Sequence, residues 1–178
     1  NMHDAVQRES KAARDSAGIL DASTLGKIDI QGTDASEFLN RVYTNAWSKL
    51  AIGKCRYGLM LNEDGMVYDD GVTTRLDENH YIMTTTTGGA ATVLGKLEDY
   101  LQTEWPELDV YLTSVTDHYA TVSVCGPNSK KIVSQVIPDL DFSDENFPHM
   151  SFKNAKIGKI KCRVMRISFT GEHSYEIN

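Results

Sequence analysis

The sequence predicts an α+β fold of antiparallel sheets with helices, and three observations carry that expectation. Apolar and polar residues alternate over many short runs, helical stripes separate some of those runs, and turn signals join others. From about residue 78 the order becomes strand, helix, strand, strand, helix, strand. That is the split arrangement of a ferredoxin-like βαββαβ unit, an antiparallel sheet with two helices on one face. The chain has 178 residues, 40% of them apolar, enough to bury a core in one domain or two closely joined subdomains. The expected division is 1–77, a first part carrying a hairpin, and 78–178, the ferredoxin-like part.

The elements follow in order. "HDAVQRESKAARDSAG" reads as an amphipathic helix stopped by Gly18, and "GKIDIQG" alternates as a strand. "TDASEFLNRVYTN" is a second helix: Thr33 can cap it, acids occupy its first turn, and Phe38, Leu39 and Val42 supply the buried stripe. "CRYGLMLNEDGMVYDDGVTTRL" is a hairpin, because two strand-like runs flank the turn signal "NEDG". "NHYIMTTTT" is a strand and "GGAATVLGKLEDYLQTEW" a helix before Pro106. "LDVYLTSVT" and "HYATVSVCG" are strands joined by a short turn. "PNSKKIVSQVI" is a helix opened by proline, and "IKCRVMRISFTG" is the last strand. The intervening "PDLDFSDENFPHMSFKNAKIG" reads as an irregular loop.

The hairpin raises a chemical question. Alternation puts Met66, Tyr68, Asp70, Val72, Thr74 and Leu76 on one side of its second strand, and Val67, Asp69, Thr73 and Arg75 on the other. The first set is the more apolar, so it reads as the core side with Asp70 in its middle. An ionised carboxylate taken off water costs several kcal/mol unless partners compensate. Asp70 therefore needs an explanation that Asp69 does not.

Composition excludes several classes. A net charge of −7 argues against a non-specific nucleic-acid binder, and the one dense basic stretch, "FKNAKIGKIKCR", alternates like a strand with a solvated face. No apolar run approaches a membrane span, and the N-terminal residues do not resemble a signal peptide. Three separated cysteines, Cys55, Cys125 and Cys162, suit thiols in a reducing cytoplasm better than a disulfide framework. The five histidines show no metal-ligand spacing, so no metal is expected.

Motifs narrow the chemistry further. "TTTTGGAATVLG" places glycines at a strand-to-helix junction, without the lysine of a phosphate-binding loop or the glycine spacing of a dinucleotide site. "SFTGEHSYE" lacks the spacing of a nucleophile elbow. Asp70 and Glu172 remain as acids in apolar or turn-forming surroundings.

The blocks "AGILDASTLGKIDIQGTDASEFLNRVYTN", "CRYGLMLNEDGMVYDDGVTTRL", "VSVCGPNS" and "RISFTGEHSYEI" occur in the order and at the spacing of one family. Over essentially its whole length the chain resembles the folate-binding aminomethyltransferases, typified by the glycine-cleavage T-protein. "LDASTLGKI", "CRYGLML", "MVYDDGV" and "TTTTGGAA" are more similar still to the C-terminal part of the α subunit of heterotetrameric sarcosine oxidases. The resemblance implies a truncated folate-binding domain whose relatives continue into more of the domain and a C-terminal β-barrel. It implies an enzyme module that passes the carbon of an oxidised N-methyl group to tetrahydrofolate, alongside other subunits of a hetero-oligomeric oxidase. Flavin and NAD are expected only outside this chain. By the same resemblance Asp70 is the catalytic acid, Glu172 receives the pterin N–H groups, and Leu25, Tyr57 and Val72 line the folate pocket. A T-protein-like aminomethyltransferase and a non-catalytic folate-binding relative are the alternatives.

Overall fold

The computed structural model describes residues 1–178. The elements begin with α1 (Met2–Asp15), β1 (Gly18–Asp21), β2 (Gly26–Gln31), α2 (Ala35–Val42), β3 (Cys55–Leu61), β4 (Val67–Asp77) and β5 (His80–Thr85). They continue with α3 (Ala90–Asp99), β6 (Tyr111–Ser114), β7 (Val122–Cys125), α4 (Ser129–Val136), β8 (Phe152–Ile157), β9 (Ile160–Met165) and β10 (Ser174–Ile177). The fold is α+β with antiparallel sheets, and it divides into two compact units, one of Asn1–Ser23 with Ala120–Asn178, the other Thr24–Tyr119.

The 24–119 unit holds a five-stranded sheet in the order β3-β4-β5-β2-β6. Alternation decides which side chains of that sheet are buried together. Ile28 and Ile30 of β2, Tyr81 and Met83 of β5 and Met60 of β3 join Ala35, Phe38 and Leu39 of α2 and Val93 and Leu97 of α3 in one core. Val42 packs against its margin, as the helical stripe predicts. The expected Thr33 cap is not made: the Thr33 hydroxyl donates to Asp109 Oδ2 at 3.0 Å, and Asp34 occupies the N-cap position without a side-chain bond into the helix. Asp34 instead accepts from the Asp109 N–H at 2.9 Å, so these two acids tie the start of α2 to the approach to β6.

The other unit holds a sheet in the order β1-β7-β10-β9-β8. Its core gathers Val124, Val164 and Tyr175 from the strands, Val133 and Ile137 from α4 and its end, and Phe142 and Phe147 from the following loop. Phe142 meets Tyr175 edge to face at 5.3 Å between centroids, the geometry that aromatic quadrupoles favour. Helix α1 is capped by Asn1 and buries no residue.

The strands of 78–178 do not assemble into a single βαββαβ sheet. β5 and β6 both pair with β2, whereas β7 pairs with β1 and β10. The segment between β6 and β7 is not a hairpin turn, because Val115 N–H bonds to Lys27 O and Lys27 N–H to Thr116 Oγ1. The expected boundary at 77/78 also falls inside the tight turn that joins β4 to β5, where Asp77 pairs with His80. The stretch read as an irregular loop contains β8, which turns through Gly158 at φ +61° into β9 and pairs with it along its whole length. Strands β1 and β10, four residues each, have too little pattern to announce themselves.

Candidate functional site

Cross-strand register sorts the hairpin residues by face. Leu59 opposite Asp70, Tyr57 opposite Val72 and Cys55 opposite Thr74 lie on one side; Met60 opposite Asp69, Gly58 opposite Gly71 and Arg56 opposite Thr73 lie on the other. Met60 belongs to the helix-packed core, so the core side is that of Asp69, not of Asp70. This is the reverse of the side that alternation alone selects for the core, and a bulge is the reason. Asp69 pairs with Met60 and Val67 with Leu61, leaving Tyr68 as an extra residue that packs against the core cluster. Two apolar residues counted onto the Asp70 side, Met66 and Tyr68, therefore do not mark it; Met66 is exposed.

Asp69 is the buried acid, 5% exposed. The Thr86 hydroxyl donates to its Oδ1 at 2.6 Å and the Thr86 N–H to its Oδ2 at 3.2 Å. Burial pushes its carboxyl above the usual value, the Thr86 bonds pull the other way, and the neighbouring Asp70 charge adds to the rise. Thr86 Oγ1 also accepts from the Gly89 N–H at 3.1 Å, so Asp69 organises the turn that launches α3. A Cβ on Gly89 would lie 2.6 Å from Asp69 Oδ1 and 2.7 Å from Thr86 Oγ1, while one on Gly88 would meet nothing. Gly89→Ala is expected to cost about 1–3 kcal/mol and Gly88→Ala almost nothing. Thermal unfolding of the two variants side by side checks this, and equal midpoints would remove Asp69 from that turn.

Asp70 is half-buried on the opposite face, and Tyr57 donates its phenolic O–H to Asp70 Oδ2 at 2.8 Å. That bond, then burial and the carboxylate's charge, holds the Tyr57 hydroxyl above its usual pKa, so the phenol keeps its proton. The Tyr57 ring is 49% exposed, a flat apolar surface beside an acceptor. Val72 lies two residues further along the same face. Its N–H donates to Thr84 Oγ1 at 3.0 Å and its carbonyl accepts from the same hydroxyl at 3.2 Å, so a side chain stands in the ladder between β4 and β5. Leu25 is half-buried at the head of β2, where its carbonyl accepts from Lys27 Nζ at 2.9 Å. Structure thus joins Tyr57 to Asp70 by a direct bond that sequence reading did not foresee.

Glu172 belongs to the other unit, in the loop between β9 and β10. Its carboxylate is 27% exposed and accepts from Arg14 Nη1 at 2.7 Å. No pattern of spacing in the sequence links those two residues, which lie 158 positions apart. No group of three or more His, Cys, Asp or Glu side chains is arranged to hold a metal ion, and no helix is long and apolar enough to cross a membrane.

The GCVT N-terminal domain family matches residues 1–178. The chain belongs to that family. Among its GCVT-domain relatives, the sarcosine oxidase subunit alpha of Corynebacterium sp. (strain U-96) is 56% identical over 178 residues, 99% of this chain and 18% of that protein. An aminomethyltransferase of Listeria monocytogenes serotype 4a (strain HCC23) is 31% identical over 177 residues, 97% of this chain and 46% of that protein. The crystal structure of glycine cleavage system aminomethyltransferase T from Bartonella henselae superposes with a TM-score of 0.81 at 24% identity, covering 97% of this chain and 44% of that one. The GCVT-family chain therefore spans 18% of the length of its sarcosine oxidase relative and under half of the two aminomethyltransferases.

Proposed function

We propose that this chain is the tetrahydrofolate-binding one-carbon transfer module of a sarcosine oxidase-like enzyme, and that its product is 5,10-methylenetetrahydrofolate. The observation that carries the reading is the Tyr57–Asp70 pair, an acid held at 2.8 Å by a phenol on the half-exposed face of the hairpin. Identity of 56% to a sarcosine oxidase subunit alpha supports that branch over the aminomethyltransferases at 31%.

The residues present suit a reduced pterin. Tyr57 and Val72 offer an aromatic face and an aliphatic edge for a flat ring, and Asp70 keeps acceptor capacity beyond the bond from Tyr57. When bound, tetrahydrofolate supplies the N5 and N10 nitrogens that take up a formaldehyde-level carbon derived from an oxidised N-methyl amine. Asp70 stabilises the positive charge that develops there and accepts or returns a proton at its carboxylate. Tyr57 keeps its own proton on Oη and so fixes the orientation of Asp70. Leu25 contributes apolar lining, and Glu172 accepts from the pterin N–H groups. Flavin and NAD chemistry, and the other subunits of the oxidase, belong to the complete cytoplasmic enzyme.

Glu172→Gln tests the binding half of this proposal. The change keeps the size but replaces an acceptor oxygen by a donor nitrogen, which faces the donors of the pterin. Folate affinity of the full-length protein is expected to fall by about 1–3 kcal/mol, measured by titration calorimetry. Unchanged affinity would take Glu172 out of the site. Trapping of labelled formaldehyde during sarcosine turnover tests the transfer half, since an aminomethyltransferase acting on another donor would give no folate product from sarcosine.

A further inference from the structure

The loop that carries Glu172 is fastened by a residue 158 positions away in the sequence. Arg14, in the last turn of α1, donates from Nη1 to the Thr170 carbonyl at 2.8 Å and to Glu172 Oε1 at 2.7 Å. Gly171 stands between those two acceptors at φ +82°, a left-handed conformation that side chains disfavour. The same turn is closed from within. Ser168 Oγ donates to the Glu172 carbonyl at 2.5 Å and accepts from the Gly171 N–H at 3.1 Å.

Packing does not explain why Arg14 reaches this acid. Helix α1 buries no side chain, and its C-terminal end is held by polar bonds, among them Asn128 N–H to Ser16 O at 2.8 Å. Stability does not explain it either, because an ion pair with one partner 60% exposed contributes little against screening by water and the ordering of two long side chains. What the contact does accomplish is local: it removes rotamer freedom from the Glu172 carboxylate while leaving acceptor sites on both oxygens.

We propose that Arg14 is a positioning residue for folate, holding the Glu172 carboxylate aimed before the ligand arrives. The proposal rests on the reading of Glu172 as the acid that receives the pterin N–H groups. Pre-ordering an acceptor lowers the entropy lost on binding, and a guanidinium suits the task because one group reaches a carbonyl and a carboxylate together. Arg14 acts through Glu172 and touches no ligand itself.

The experiment uses the full-length protein and a stable reduced folate, 5-formyltetrahydrofolate, with four variants: Arg14→Met, Arg14→Lys, Glu172→Gln and the double Arg14→Met/Glu172→Gln. Arg14→Met is expected to weaken binding about tenfold, the loss of one charge-assisted bond's worth of ordering, with its thermal midpoint close to that of the parent. Arg14→Lys is expected to recover most of the affinity. In the Glu172→Gln background the loss of Arg14 is expected to add nothing, because the carboxylate it positions is already gone. Additive effects in the double variant, or parental affinity in Arg14→Met while Glu172→Gln binds weakly, would overturn the role of Arg14 alone. Parental affinity in Glu172→Gln would overturn the role of Glu172 and this inference with it.

Discussion

Asp70→Asn in the full-length protein is expected to cut formation of 5,10-methylenetetrahydrofolate by about 10²-fold or more while most folate affinity remains. An amide fills the space of the carboxylate, and its oxygen still accepts the Tyr57 O–H that now reaches Oδ2 at 2.8 Å. What the amide lacks is a charge to stabilise a developing cation and a basic site to carry a proton. Under the proposed function amine oxidation takes place at a separate flavin that does not need Asp70, so released formaldehyde should rise as the folate product falls. Single-turnover product analysis reads both quantities. Asp69→Asn should differ in kind. Asp69 lies on the core side, its two oxygens facing the Thr86 hydroxyl and N–H, so an amide there places a donor against a donor and weakens the turn into α3. The expected loss is in stability, with transfer preserved in the protein that remains folded. Loss of transfer in Asp69→Asn together with normal transfer in Asp70→Asn would exchange the two roles and remove Asp70 from the chemistry.

The pair of acids also shows what the sequence can and cannot express. Period-two alternation correctly grouped Asp70 with Val72 and Thr74, because from Asp69 onward the β3–β4 register runs without interruption to Thr74. It misassigned which group faces the core, because one extra residue at Tyr68 shifts the apolar residues before the bulge, and a bulge has no signature in hydropathy. Helices α2 and α3 were legible from their stripes, since burial against one sheet face selects the same residues that periodicity marks. Strand partnership was not legible. Whether β6 pairs with β2 or with β7 depends on residues far apart in sequence, here the bonds that Lys27 makes to Val115 and Thr116. Arg14 was silent for the same reason, its acceptors lying near the other end of the chain. The family resemblance of the sequence implies roles for Tyr57 and Asp70 that remain part of the proposal; only the structure shows the bond between them.

Trp47→Ala is expected to destabilise the 24–119 unit by about 3–5 kcal/mol, the range for deleting a fully buried large aromatic side chain. Trp47 is completely buried in a short helical turn whose N–H bonds to Asn40 Oδ1 at 2.6 Å. Its ring meets Tyr43 edge to face at 6.0 Å and lies so close to Gly58 that a Cβ there would stand 2.6 Å from it. The indole thus presses on β3, which is an edge strand with β4 as its one sheet neighbour. Trp47→Phe should cost much less. It keeps most of the aromatic volume and also removes the buried indole N–H, which has no hydrogen-bond partner and so contributes a desolvation penalty in the parent. Hydrogen exchange at the amides of β3 and β4 gives the readout, because loosening should appear first at the edge strand that the ring packs against. Tyr57 is next to Gly58 on that edge, so a mobile β3 also loses the bond that orients Asp70. Folate affinity should therefore fall in Trp47→Ala even at temperatures where the unit is folded, and recover largely in Trp47→Phe. If exchange in β3 is the same for both variants and the parent, the ring does not hold the strand, and the rigidity of the Tyr57–Asp70 pair must come from β4 alone.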